Sequence, residues 1–394
     1  MKRLEALLQQ LCPDGVIYKR LGDIATITRG GNFQKKDYRE NGFPCIHYGQ
    51  IYTKFNLFVT EPISHISDEK AAQQKKAKPG DIIMAVTSEN IEDVCKCIAW
   101  LGNREIAVSG HAAIIHHRLN PKFLAYFLSS SLFYKQKLSM AQGTKVIEVS
   151  PEKLKNILLP VPPLEVQQEI VRILDHFTEL TAELTEKLTA ELTAREKQYQ
   201  YYRCQLLTFN SSVPRRTLSE VCNILSGGDA PKNEMSKEKT EHHKIPIISN
   251  GVEGNDIYGY TNIKKIETPA VTIAARGTIG YAAYRDYPYF PIIRLLSAIP
   301  KDTSLLDTKF LYYCLRDKQY NIPQSGIPQL TSPQLKKVEI FLPPLPEQRR
   351  IVAILDRFDA LCNDLTSGLP AEIAARQKQY EYYRDKLLTF KEKL

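Results

Sequence analysis

From Pro163 to Phe209, apolar residues recur in steps of three and four at Ile173, Phe177, Leu180, Leu184, Leu188, Leu192, Tyr199, Tyr202 and Leu206, with polar Arg195 interrupting the run. That spacing draws one stripe along a helix. The stripe returns 181 residues later, through Ile354, Phe358, Leu361, Leu365, Leu369, Ile373, Tyr380, Tyr383 and Leu387, and 27 of the 47 aligned positions are identical. Each copy opens behind a proline run (Pro160, Pro162, Pro163; Pro343, Pro344, Pro346) that tolerates a helix starting just after it. Glu183–Lys187 and Glu191–Arg195 add i,i+4 pairs in the favourable acid-first order. A helix of this length spans about 65 Å, so its stripe outruns any single small globule. Its partner is therefore its own duplicate, in an antiparallel two-helix coiled coil. The expected packing residues are Phe177, Leu180, Leu184, Leu188 and Tyr202 of the first copy and Phe358, Leu361, Leu365 and Tyr383 of the second. Pro370 predicts a kink or break in the second helix. Tyr199, Tyr201 and Tyr202, with their copies, read as packing residues of the seam rather than as stacking platforms.

The patterning between the helices is different. After a short helix over residues 4–11, short β-branched runs alternate with Gly, Asn and Pro at FPCIHYG, Asp81–Val86, Val94–Trp100 and Ala112–His116. A helix, PKFLAYFLSSSLFYKQKL, follows Asn120 with Pro121 in its first turn. The later segment keeps the order: strands at HKIPIISN, AVTIAAR, GYAAYR and IIRLLSAI, then a helix TKFLYYCLRDKQY capped by Asp307. Aligning Leu21 with Leu218 also superposes Gly30-Gly31 on Gly227-Gly228. The expected fold class is α+β: two mixed globules separated by two long antiparallel helices, with an internal pseudo-twofold repeat. The boundaries are 1–160 for the first globule with its N-terminal helix, 161–210 for the central helix, 211–342 for the second globule and 343–394 for the last helix.

Composition adds little to that picture. The 394 residues are 43% hydrophobic and 25% charged, with a net charge of +9 that only hints at an anionic partner. No apolar run is long enough for a secretory signal or a membrane span, which points to the cytoplasm. Eight scattered cysteines include one close pair, Cys95 and Cys97, and nothing to complete a zinc set; they read as reduced thiols.

Signatures of catalysis are missing: no phosphate loop, no dinucleotide fingerprint, no H-E-x-x-H, no nucleophile elbow, and no Asn/Asp-Pro-Pro-Tyr/Phe tetrapeptide. The Gly-Gly pairs read as loop glycines and the histidines lack ligand spacing. What recurs beside the glycines is polar and basic. The first globule offers Asn32, Gln34, Lys35, Lys36 and Arg39, a second run with Lys70, Lys75, Lys76 and Lys78, and a third loop with Gln142, Thr144 and Lys145. The second offers Lys232, Asn233, Asn250, Arg276, Thr278, Gln324 and Gln329 in corresponding loops. Lysine and arginine neutralise phosphates, while Asn, Gln and Arg can pair with base edges. Singly, each is an ordinary solvated side chain; as a set, they point to DNA. A purely structural adaptor with protein-binding globules is the rival reading, and it predicts no salt-sensitive DNA affinity. A self-sufficient enzyme would need a cofactor pocket that the sequence does not show.

The duplicated LP-x-PPL-E-x-Q-x-x-IV-x-ILD-x-F entry and the duplicated ARxKQYxYYRxxLLTF end are where the chain resembles a known family, the DNA-specificity subunits of type I restriction–modification systems. The resemblance runs over essentially the whole length. It implies two target recognition domains, about 16–160 and 211–342, each reading half of a split asymmetric site, with the helices fixing the spacer between the halves. It also implies methyltransferase subunits docked on the scaffold and motor-nuclease subunits joining them. Adenine methylation and cleavage, with S-adenosylmethionine, ATP and magnesium, would belong to those partners, and this chain would bind no cofactor or metal.

Overall fold

The computed structural model describes residues 2–252, 254–322, 328–363 and 368–393. In its first half these elements organise the chain: α1 (Lys2–Leu11), β1 (Tyr18–Arg20), β2 (Ala25–Arg29), β3 (Phe58–Val59), β4 (Ile82–Ala85), β5 (Cys97–Trp100), β6 (Ala112–His117), α2 (Pro121–Leu128), β7 (Leu158–Pro160) and α3 (Leu164–Leu206). The second half continues with β8 (Arg215–Thr217), β9 (Cys222–Ser226), β10 (Ala270–Ala274), β11 (Ala282–Arg285), β12 (Leu295–Pro300), α4 (Thr308–Leu315), β13 (Glu339–Phe341), α5 (Leu345–Asn363) and α6 (Leu369–Leu387). The fold is α+β, with two globules built on one plan.

The first globule's central sheet has the order β2-β6-β4-β5-β3, antiparallel except where β3 runs parallel to β5. All residues of β4 and β5 are buried, and such strands read as continuous apolar runs because both faces are covered. On one face Ile82, Met84 and Ala99 pack with α2 through Leu124, Ala125 and Leu128. On the other, Ile83, Ala85, Ile98 and Trp100 form a separate cluster with Ile46, Ile51 and Val108. A smaller sheet built from Tyr38–Arg39, Phe43–Ile46, His65–Ile66, Lys76–Ala77 and Ile106–Val108 accompanies it. The second globule repeats the plan with four antiparallel strands, β9-β12-β10-β11, and a four-stranded companion sheet. In both, a two-stranded clasp leads into the long-helix region: β1 with β7, and β8 with β13.

By contacts the chain forms two compact units that cut across the long helices. One holds residues 1–187 and 373–394, the other 188–372. In the first unit, the start of α3 packs on the end of α6: Phe177 lies 6.0 Å from Tyr383, and the Thr178 and Tyr380 hydroxyls are 3.0 Å apart. In the second, the end of α3 packs on α5, with Phe358 6.3 Å from Tyr199 and 5.8 Å from Tyr202. In the first unit rising numbers on α3 meet falling numbers on α6, and in the second Tyr202 meets Phe358 while Cys362 lies within reach of the Glu196 charge, so both pairs are antiparallel. The first unit also gathers residues from both ends of the sequence. Leu4 of α1 packs with Val166, Ile170 and Leu388, and Val16 exchanges backbone hydrogen bonds with Lys391 (2.8 Å) and Lys393 (2.9 Å).

Several sequence expectations are corrected here. Leu180 and Leu361 are exposed, as are Tyr202 and Tyr383 even though their rings meet Phe358 and Phe177, while the neighbouring Thr181 is half-buried and Cys362 buried. A helix advances 100° per residue, so the step from Phe177 to Thr181 to Leu184 stays on the buried face while Leu180 swings off it. The same substitution occurs at the equivalent place in both copies. Leu184 is half-buried and Leu188 buried, and Leu365 lies outside the described residues. The interruption expected at Pro370 is present: among the described residues α5 ends at Asn363, Gly368 is a bend and α6 begins at Leu369. Pro370 falls in the first turn of α6, where its missing N–H costs nothing. The helix expected over 121–138 stops at Leu128, and a new one, Ser131–Met140, starts from a Ser130 cap. The run FPCIHYG is a strand only to Ile46, because the His47 ring caps a helix over Tyr48–Thr53 that periodicity did not reveal.

Candidate nucleic-acid interface

In both globules, the Gly-Gly pair lies beside the turn that enters the sheet's second strand. Gly31 bridges to Ser109 in the first and Gly228 to Ile292 in the second. Here the glycines are required by close approach: a Cβ on Gly30 would strike the Ser109 carbonyl, and one on Gly227 the Ile292 carbonyl. A concavity opens at this point in each globule, about 410 Å³ in the first and 390 Å³ in the second.

In the first globule the concavity is lined by Asn32, Phe33, Gln34, His47, Tyr48 and His111. Asn32 and Gln34 are exposed, and Lys35 and Lys36 follow in a short 3-10 turn held by the Gln34 N–H donating to Asp37 Oδ2 at 2.8 Å. Lys70 reaches the same Asp37 at 4.0 Å, which joins the two basic runs. Arg39, also exposed, donates to its neighbour's carbonyl. The loop carrying Gln142, Thr144 and Lys145 is closed by paired backbone bonds between Gln142 and Glu148. Arg29 then links this loop to the glycine turn, pairing with Glu148 at 2.9 Å and donating to Gly110 O at 2.7 Å. All three basic loops of the first globule are therefore tied to one end of the sheet.

Three further residues there escaped sequence reasoning. The Tyr48 ring sits 4.5 Å from His47 and 4.9 Å from His111, and His111 Nδ1 contacts Thr87 Oγ1 at 3.2 Å. Burial, then the Lys35 cation and then His111 push the His47 pKa down, so its ring is neutral near pH 7. Its Nδ1 accepts from the Gly49 N–H, which leaves the proton on Nε2 as a donor. No spacing marked these residues; only their position beside a sheet end would have.

The second globule brings Asn250, Arg276, Thr278 and Gln329 together. Arg276 directs Nε (2.9 Å) and one terminal nitrogen (2.6 Å) onto Gln329 Oε1, while its carbonyl accepts from Asn250 Nδ2 at 2.7 Å. The Thr278 hydroxyl donates to the Asn250 carbonyl at 3.0 Å. Asn250 thus spends its amide on shaping the loop, and Arg276 keeps its remaining guanidinium edge for other work. Arg294, missed in the sequence, lines the same concavity with φ at 72°, a strained conformation of the kind that collects at functional sites. Lys232 and Asn233 are exposed on a separate turn, and among the described residues no hydrogen bond joins them to this cluster. Gln324 lies outside the described residues.

The cysteines are all free thiols, and burial pushes Cys45, Cys95, Cys97, Cys222 and Cys314 up to about 12, which makes them poor nucleophiles. Among the described residues no helix is long and apolar enough to cross a membrane, and no group of His, Cys, Asp or Glu is placed to hold a metal.

The family model described as the type I restriction modification DNA specificity domain matches twice, at residues 13–194 and 210–375. A protein of Mycoplasma pneumoniae named as a type I specificity subunit is 37% identical over 294 residues, 71% of this chain and 85% of its own. One of Haemophilus influenzae, named as a type I restriction enzyme specificity subunit, is 36% identical over 313 residues, 74% of this chain and 76% of its own. Among solved structures, a chain from a type I R-M system assembly superposes with a TM-score of 0.74 at 20% identity, covering 95% of this chain and 97% of that one. The HsdS subunit from Thermoanaerobacter tengcongensis gives 0.56, also at 20% identity, over 96% and 97%. With its domain present twice and its relatives carrying the same subunit name, this chain belongs to the type I restriction–modification DNA-specificity family.

Proposed function

We propose that this chain reads a split, asymmetric site on duplex DNA, one half through each globule, and catalyses nothing itself. The observation that carries the reading is the pair of matched concavities. The same glycine-lined end of each sheet presents His, Tyr, Asn and Gln in one globule and two arginines with Gln in the other. One backbone plan with two side-chain sets is what two different half-sites require, since base edges are read by side chains and the duplex backbone by geometry common to all sequences. The long helices hold the half-sites at a set spacing and dock adenine-methyltransferase subunits, with translocase–nuclease subunits joining for cleavage. S-adenosylmethionine, ATP and magnesium belong to those partners, and the assembly acts in the cytoplasm.

Genome-wide adenine methylation tests this. It is measured in cells carrying the chain with its cognate methyltransferase and in cells lacking this chain alone. A bipartite methylated motif that vanishes on deletion is the expected result. Unchanged methylation, with the protein expressed and assembled, would overturn the reading in favour of a structural adaptor.

A further inference from the structure

The two globules differ at one place that the DNA reading does not use. In the first, β3 lies along the outer edge of β5, and its carbonyls at Leu57 and Val59 accept from the Ala99 (2.9 Å) and Leu101 (2.8 Å) N–H groups. The Phe58 ring packs edge-on against Tyr126 of α2 at 5.1 Å, and Lys122 lies over it at 4.8 Å. In the second globule β11 holds the position of β5: Tyr284 faces Val271 across the sheet as Ala99 faces Ile82. Yet β11 is the end strand of its sheet, and among the described residues no strand pairs with its outer edge.

A groove of about 890 Å³ runs along that edge instead, floored by β11 and walled by Tyr312 and Tyr313 of α4, by the stretch from Arg316 to Ile322 that follows α4, and by Asp356 of α5. Its fittings correspond to those around Phe58. Tyr313 stands for Tyr126 and Lys309 for Lys122, and Asp356 accepts from both (2.6 and 2.7 Å), as Asp175 accepts from Tyr126 (2.8 Å) and Lys122 (2.6 Å). Among the described residues, no strand takes the place that β3 holds in the first globule. Tyr284 leans partly into the place of Phe58, 6.4 Å from Tyr312.

We propose that the outer edge of β11 is a receptor for an extended segment of a partner polypeptide, which adds to the sheet as a fifth strand parallel to β11. The segment would carry an aliphatic residue followed by an aromatic one, like Leu57-Phe58 of this chain. An edge strand supplies backbone donors and acceptors at strand spacing, and the tyrosine wall supplies a pocket for alternate side chains. This assignment stands apart from the DNA reading and does not depend on it.

The probe is a fluorescein-labelled peptide with the sequence of residues 54–61 of this chain, KFNLFVTE, titrated onto the full-length protein by anisotropy. Expected are saturable one-to-one binding and at least a tenfold loss when both Leu57→Asp and Phe58→Asp are built into the peptide. Tyr312→Glu, with its melting temperature checked, should weaken binding at least tenfold. Tyr284→Ala, which restores the alanine that seats Phe58 in the first globule, should tighten it at least threefold, a gain that misfolding cannot produce. Absence of saturable binding, equal binding of the aspartate peptide, or indifference to both protein variants would overturn the proposal. So would displacement of the peptide by duplex DNA, which would make the groove a nucleic-acid site.

Discussion

His117 is half-buried, and neither ring nitrogen has a well-aligned hydrogen-bond partner, the Leu119 backbone being its nearest polar help. Burial is the main cause pushing its pKa down to about 4, with nearby Asp81 opposing. A histidine whose folded value lies below its unfolded one contributes stability above the unfolded pKa, and that contribution is lost as pH falls toward the folded one. Between about pH 6.5 and 4 the chain should therefore lose on the order of 2–3 kcal/mol that His117→Gln does not lose. Urea melts of both proteins at pH 7 and pH 5 check this; parallel curves would dismiss it. Gly30 and Gly227 carry a steric prediction. Either one replaced by Ala must push aside a backbone carbonyl, with an expected loss of about 2 kcal/mol or more in the same melts.

At the scale of elements, the duplicated helix entry now has a physical reason. Gln167 and Gln348 are buried, and each accepts the N–H of the residue capping the preceding helix (Asn120 or Asp307, both 2.8 Å). Each also donates to a proline-run carbonyl, Pro162 or Pro343. The entry motif is thus a staple that fixes where each long-helix region leaves its globule. Asp175 and Asp356 bind the globule further along through tyrosine and lysine. Tyr126→Phe removes two hydroxyl contacts, to Asp175 and Thr178, and should cost about 1–2 kcal/mol. The corrected seam gives a sharper contrast. Leu180→Asp, on an exposed position, should change stability by less than about 0.5 kcal/mol, whereas Leu174→Asp, fully buried, should cost about 3 kcal/mol or more. Comparable losses from the two would restore the original stripe.

For the whole molecule, the consequence is a salt-dependent affinity for DNA carrying the methylated motif. The slope of log affinity against log salt should be steep, and Lys35→Ala should shallow it by about one while leaving sequence preference intact. Arg276→Ala should instead relax preference in one half-site only, because its guanidinium is held in place by Gln329. Competition assays with duplexes altered in one half or the other separate the two outcomes. A flat salt response would favour the adaptor.

The repeat, the long-helix region and the α+β class were legible in the chain because they rest on local rules. Helical periodicity, proline punctuation and two-copy identity each act over a few residues or announce themselves by recurrence. The polar loops were legible as composition, although not as a site. What gathers Arg276 with Gln329, or Tyr48 with two histidines, is sheet register between strands far apart in sequence, and no local pattern encodes it. The same holds for the seam at Thr181 and Cys362, where a partner helix decides which of two adjacent residues turns inward. It holds too for the groove along β11, since an edge is defined by pairing across the sheet, and among the described residues no strand covers it. Sequence by itself determined most of the helices, strands and turns, though not the helix over Tyr48–Thr53 or the break after Leu128, and that the plan occurs twice. Long-range packing decided which side chains meet, because only pairing across the fold can satisfy buried backbone groups and fill a core.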